Sequence, residues 1–181
     1  MQTGENLRWV RFFWEVVLDG EDREWVWYLK GGGYRKWAGL DDSVVRWRGS
    51  GDPLGRFPKA TLRNSHRYFQ QGLSYTDFAG GSLGVRFMRG DEIFDLGAPA
   101  VFLTNDSSWS LETLSCVLNS RVASFLVRLL SPNPQHIRTG YLRLLPLPSK
   151  PPTPEAERLV ALSRGCREYL EQSNYVARLY R

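Results

Sequence analysis

The chain has 181 residues, a net charge of +5, and 42% hydrophobic against 24% charged residues. It is long enough to bury the core of one domain, or of one domain with an appendage, and too apolar to be disordered over most of its length. No apolar run approaches the length of a membrane span, and the opening MQTGENLRWV lacks the zones of a secretory signal, so no membrane partner and a cytoplasmic location are expected.

Up to about Leu103 the pattern is one of short strands and turns. LRWVRFFWEVVL and EWVWYLK are aromatic and β-branched, Gly20 and Gly31 to Gly33 interrupt them, and LGVRFMRGDEIFDL reads as two strands around Gly90 and Asp91. On one predicted strand Arg46 and Arg48 flank Trp47, which turns both cations to the face opposite the ring. From Ser110 the period becomes helical: Leu111, Leu114, Leu118, Val122, Phe125 and Leu129 share a face, with Ser110 as N-cap and Glu112 in the first turn. SPNP, with Pro134, closes that helix, and the prolines of LRLLPLPSKPP predict an extended connection. A last helix opens at Thr153 with Pro154 in its first position and carries Leu159, Leu162, Cys166, Tyr169 and Leu170 on one face. The expected fold class is α+β: a small, twisted, mostly antiparallel sheet with long loops in the N-terminal half, then two amphipathic scaffold helices whose polar faces meet any neighbouring domain. Residues 1–150 are expected to form one domain and residues 151–181 a terminal helix packed on it. Cys116 and Cys166 fall in helical apolar patterns and are read as reduced core thiols rather than a disulfide.

Charge is unevenly spread. Between Tyr28 and Arg67 stand nine lysines and arginines (Lys30, Arg35, Lys36, Arg46, Arg48, Arg56, Lys59, Arg63, Arg67) and only three acids (Asp41, Asp42, Asp52), a surplus larger than that of the whole chain. Aromatic residues run through the same stretch. Cations neutralise phosphates and flat rings stack on bases, so this combination suits a polyanion. In KGGGYRKWAG, Gly31 to Gly33 permit close backbone approach, Lys30 and Lys36 offer point charges, Arg35 a two-pronged donor, and Tyr34 and Trp37 flat faces. Trp37 equally suits a core ring holding the loop down. In RNSHRYFQQGLSYTD, Arg63 and Arg67 are candidates for backbone contacts, Asn64, Gln70 and Gln71 for adenine edges, and Ser74 and Tyr75 offer hydroxyls, while Tyr68, Phe69 and Leu73 suit a core.

Evidence for a catalyst is thin. G-x-S-x-G occurs at Gly80, Gly81, Ser82, Leu83 and Gly84, but VRFMRG after it is strand-like, whereas a nucleophile elbow requires a helix. His66 and His136 lack partners at metal-ligand spacing, and no phosphate loop or dinucleotide fingerprint is present. Asp41 with Asp42, and Asp91 with Glu92, lie in predicted turns.

Five blocks, TGENLRWVRFFWEV (3–16), KGGGYRKWAG (30–39), VVRW (44–47), RNSHRYFQQGLSYTDFAGGSLGVRFMRGDEIFDLGAPAVF (63–102) and VLNSRVASFLVRLLSP (117–132), occur in one order and spacing. In that order they resemble the carboxy-terminal target-recognition (specificity) region of large adenine-specific DNA methyltransferases, those of BREX phage-defence systems and of type IIG restriction-modification enzymes. The KGG block and the LNS helix are the most specific parts. The resemblance implies a module that recognises a short sequence in double-stranded DNA while a separate catalytic domain binds S-adenosylmethionine and methylates adenine at N6. Neither the N/D-P-P-Y/F motif nor an S-adenosylmethionine loop occurs in this chain, since SPNP lacks the second adjacent proline and the aromatic. No cofactor is therefore expected in the chain, whose partners would be duplex DNA and a catalytic domain. An excised or truncated piece is the expected origin, with a split subunit as the alternative. A protein–protein interaction module of a defence complex is the alternative function.

Overall fold

The aromatic and β-branched runs form strands, in two sheets rather than one. The structure, a computed structural model, describes residues 1–18, 24–80, 82–133, 135–174 and 178; Gly20, Gly81 and Pro134 lie outside them. Among the described residues the strands are β1 (Val10–Phe12), β2 (Trp25–Leu29), β3 (Ser43–Arg46), β4 (Gln71–Tyr75), β5 (Val85–Arg89), β6 (Glu92–Phe94) and β7 (Ala100–Val101). The first sheet has the order β1-β3-β2-β6, antiparallel except for the parallel pair β2 and β6. The second, β5-β4-β7, is antiparallel throughout. The two strands expected around Gly90 and Asp91 are β5 and β6, and they belong to different sheets. Gly90 takes φ +96°, a left-handed conformation that a side chain disfavours, as the chain crosses from one sheet to the other.

Each sheet has its own apolar core. Trp9, Tyr28, Val45, Leu54, Tyr68, Ile93 and Phe94 close around the first. On the second, Leu73, Tyr75, Leu83 and Val85 meet Leu114, Leu118, Ala123, Val127 and Ile137. The helices are α1 (Asn6–Trp9), α2 (Asp52–Gly55), α3 (Leu111–Leu118), α4 (Arg121–Leu130), α5 (Thr139–Leu142) and α6 (Pro154–Gln172). This is the α+β architecture expected from the sequence.

Several elements depart from expectation for visible reasons. LRWVRFFWEVVL pairs only over β1, being preceded by α1 and followed by a 3-10 turn at Phe13–Glu15. The single helix expected from Ser110 is two, bent by 66°. Ser110 caps α3 as expected, accepting from the Thr113 amide at 3.1 Å, but Ser120 caps a second start, accepting from the Ala123 amide at 3.0 Å. The proline-rich connection is free of helix after α5. Helix α6 begins at Pro154 as expected, yet its apolar stripe faces outward: Leu159 is 64%, Leu162 62% and Tyr169 70% exposed. Cys166 on that stripe is exposed and Cys116 half-buried, both as free thiols. Among the described residues no single helix is long and apolar enough to cross a membrane.

Candidate nucleic-acid interface

The KGGGYRKWAG segment leaves β2 at Lys30 and ends as a fourth rung beside the second sheet. A Cβ at Gly31 would collide with the Gly97 carbonyl, and φ at Gly31 is +77°, so this position requires glycine. Tyr34 and Arg35 cross the second sheet at Gly84, where a Cβ would come within 2.9 Å of the Tyr34 ring and 2.6 Å of the Arg35 carbonyl. Trp37 then donates its amide to the Val85 carbonyl at 2.8 Å and accepts from the Phe87 amide at 3.1 Å. Its φ of +73°, unusual for an aromatic residue, is held by this pairing.

The two most distinctive sequence blocks meet here. Lys36 Nζ donates to the Asn119 carbonyl at 2.6 Å, at the C-cap of α3. The Asn119 side chain is turned into the sheet, where Oδ1 accepts from the Val85 amide at 2.8 Å and Nδ2 donates to the Val85 carbonyl at 3.1 Å. LNS is thus a joint: Leu118 fills the second core, Asn119 acts as a strand partner for β5, and Ser120 starts α4. Lys36 belongs to that joint, its charge set against the carbonyl end of a helix. Arg35 does not: among the described residues its guanidinium donates to the Tyr34 carbonyl alone, at 3.1 Å, and it is exposed.

The other basic segments are gathered on the first core. Trp47 packs inward, 5.9 Å from the Tyr68 ring and 6.1 Å from Phe69, and the Tyr68 hydroxyl donates to the Arg63 carbonyl at 2.9 Å. These contacts stitch residues 46–48 to residues 63–69. Arg46 and Arg48 are both exposed while Trp47 is half-buried, so the expected alternation holds although β3 ends at Arg46. Arg46 pairs with Glu24 at 2.7 Å. Arg67 lies over the Phe102 ring at 5.4 Å and donates to Gln70 at 3.3 Å. Arg48 and Arg63 are exposed and make no ion pair with a described residue. Arg63 and Asn64 also line a cleft of about 240 Å³ with Thr61, Asp95 and Thr139. Phe69, expected in the core, is 42% exposed with φ +60°, its amide donating to the Glu92 carbonyl at 3.0 Å.

Ser74 and Tyr75 lie elsewhere, in the interior of β4. Ser74 Oγ donates to the Ala98 carbonyl at 3.3 Å, and the Tyr75 hydroxyl, pushed up to about 12 by burial, is paired with Thr139 at 3.2 Å. Neither hydroxyl reaches a surface on which a duplex can lie. Lys30 is half-buried at the end of β2.

A charged joint of Asp41, Arg86 and Glu92 lies where residues of the two sheets meet. Arg86, 3% exposed, donates one arm to Thr76 Oγ1 at 3.2 Å, while its Nη2 has no hydrogen-bond partner among the described residues. Burial lowers its pKa to about 10, and Asp41 opposes that shift. Burial raises Asp41, with Arg89 and Arg178 opposing, and raises Glu92, with Asp91 adding to the effect. The cavity they line is about 10 Å³, room for one water and no substrate. Sequence periodicity had no means of marking Arg86: between Val85 and Phe87 it takes the place of an outward residue, and the burial of β5 on both faces encloses it.

The hydrolase pattern finds no support. Ser82 is followed by strand β5, and among the described residues no hydrogen bond joins it to an imidazole; His136 Nδ1 is instead paired with Asp77 at 2.8 Å. No cluster of metal-ligating side chains occurs among the described residues.

No protein-family model matches the chain. It is similar to the adenine-specific methyltransferase BrxX of Escherichia coli O9:H4 (strain HS), 32% identical over 131 residues, which cover 72% of this chain and 11% of that protein. It is also similar to the adenine-specific methyltransferase PglX of Lacticaseibacillus casei (strain Zhang), 29% identical over an alignment of 186 residues covering 91% of this chain and 15% of that protein. The chain therefore spans only a small fraction of the length of the curated relatives it matches. By these comparisons the chain is homologous to a short segment of adenine-specific methyltransferases.

Proposed function

We infer that the chain is the double-stranded DNA recognition module of an adenine-specific (N6) DNA methyltransferase of a BREX or type IIG restriction-modification system. The observation that carries this reading is the set of exposed arginines, Arg35, Arg48 and Arg63, which make no ion pair with a described residue, on loops fixed by aromatic packing and by the Asn119 joint. Cations that are uncompensated at rest are free to displace counterions from phosphates, whereas a paired cation must first give up its partner. Tyr34, exposed next to Arg35 in sequence, and Phe69, exposed and 6.1 Å from the ring of Trp47 that precedes Arg48, supply flat surfaces for sugar or base edges. Catalysis and S-adenosylmethionine binding belong to another portion of the enzyme, because the residues for that chemistry are not in this sequence.

The test is fluorescence anisotropy with duplex DNA at several salt concentrations, alongside a methyl-transfer assay with S-adenosylmethionine. Duplex binding that weakens steeply with salt, with no methyl transfer by the chain alone, is expected. Methyl transfer by the chain, or equal affinity for heparin and every duplex tested, would remove the reading.

A further inference from the structure

Helix α6 turns most of its apolar residues outward. Val160, 2% exposed, is the apolar anchor of the side against the body, and the other contacts there are polar: Glu157 accepts from Ser110 Oγ at 2.8 Å, Arg164 lies over the Phe87 ring at 4.6 Å, and Glu171, 5% exposed, pairs with Arg167 and sits against Gly39. The side turned to solvent carries Leu159, Leu162, Cys166 and Tyr169, with Leu170 beside them. Their spacing of three, four and three residues is the seam along which one α-helix receives the knobs of another. Gly165 borders that seam with open space around it, so a partner backbone can approach closely. Helix α4 repeats the theme. Ala123 and Val127 fill the core, while Val122, Phe125 and Leu129 form a second, exposed stripe.

We propose that the outward seam of α6 docks a helix of the methyltransferase catalytic body, the portion that the relatives carry outside the segment matched here. This rests on the reading of the chain as part of such an enzyme. The matched segment is only 11% and 15% of those proteins, so most of each relative lies outside it, and on this reading that portion supplies the occupant. A second copy of the chain is the weaker occupant. The 19 residues of α6 hold fewer than the three to four heptads or so that sustain a free coiled coil, whereas a helix presented by a large body does not depend on the seam alone.

The probe is Escherichia coli BrxX from which the segment similar to this chain has been removed, offered to the immobilised full chain. Stoichiometric retention is expected, together with slower maleimide labelling of Cys166 in a Cys116→Ala background. Leu162→Glu with Tyr169→Glu should reduce retention at least tenfold and leave thermal unfolding and duplex binding as in the parent. Leu162→Ala should give a smaller loss in the same direction. Retention unchanged by the glutamates, or absent for the parent with Cys166 labelling unaltered, overturns the proposal. So does self-association to twice 20.8 kDa that the same substitutions abolish. Arg48→Ala with Arg63→Ala, followed by duplex binding, reports on the DNA reading separately, so the two can fail independently.

Discussion

At Arg35 the guanidinium donates to a neighbouring carbonyl and to no other described residue, whereas one residue later the Lys36 ammonium is held 2.6 Å from the Asn119 carbonyl at the end of a helix. Adjacent cations thus carry different loads. Arg35→Ala should lower the salt slope of duplex binding by about 0.9, one phosphate contact, and leave stability within about 0.5 kcal/mol. Lys36→Ala should lower stability by about 1 to 2 kcal/mol, since it removes a charge-assisted bond at a helix terminus. Urea melts and salt titrations of both variants check the assignment, and a slope change at Lys36 without a melt change would reverse it. Asp41 gives a pH test. Its raised pKa means that, as pH rises past the usual carboxylate value, the unfolded chain releases a proton that the folded chain keeps. Stability attributable to Asp41 therefore falls with rising pH until its raised value is passed. Asp41→Asn should remove that decline, seen as a flatter dependence of the urea midpoint on pH above about 4 than in the parent; parallel curves would exclude it. Sequence exposed the charge surplus at this scale but not its partners. Arg46 faces Glu24 across the first sheet and Arg67 covers Phe102, and both pairings depend on tertiary neighbours.

Helix α3 ends where the sheet needs an amide. Asn119 donates to and accepts from the Val85 backbone, so Asn119→Ala leaves a buried N–H without a partner and should cost about 2 to 4 kcal/mol. Faster hydrogen exchange at Val85 and Trp37 should accompany the loss. Unchanged exchange there would show that the joint does not hold the loop. The break itself was hidden from pattern reading because the apolar period runs unbroken from Leu111 to Leu129, and only Ser120 betrays a second cap. The caps themselves were legible: Ser110, Thr153 and Pro154 stand where local chemistry puts them. The orientation of α6 was not, because a hydrophobic stripe says that a face will be covered without saying by what. In β4 the alternation rule fails for a related reason. The strand is central, with β5 on one side and β7 on the other, and from Gly72 to Tyr75 it is buried on both faces, so Ser74 and Tyr75 are interior together.

Two small sheets, each with its own core, meet across the charged joint of Arg86, Asp41 and Glu92. Replacing Arg86 alone by Met should destabilise the fold, because Asp41 loses one of the cations around it and keeps only Arg89 and Arg178; adding Asp41→Asn should restore part of the loss. Thermal melts of the single and double variants decide this, and strict additivity would show that the two residues are not coupled. The loop bearing Arg35 is paired with the second sheet through Trp37, and the segments bearing Arg48 and Arg63 are held on the first core through Trp47 and Tyr68, so recognition through these arginines draws on both sheets. That is the claim most open to direct trial. Duplex affinity measured between roughly 50 and 200 mM salt should follow a slope of about −2 to −3 for the parent chain, falling close to zero when Arg35, Arg48 and Arg63 are all replaced by Ala. A flat dependence in the parent chain, or the same slope in the triple variant, would contradict the account.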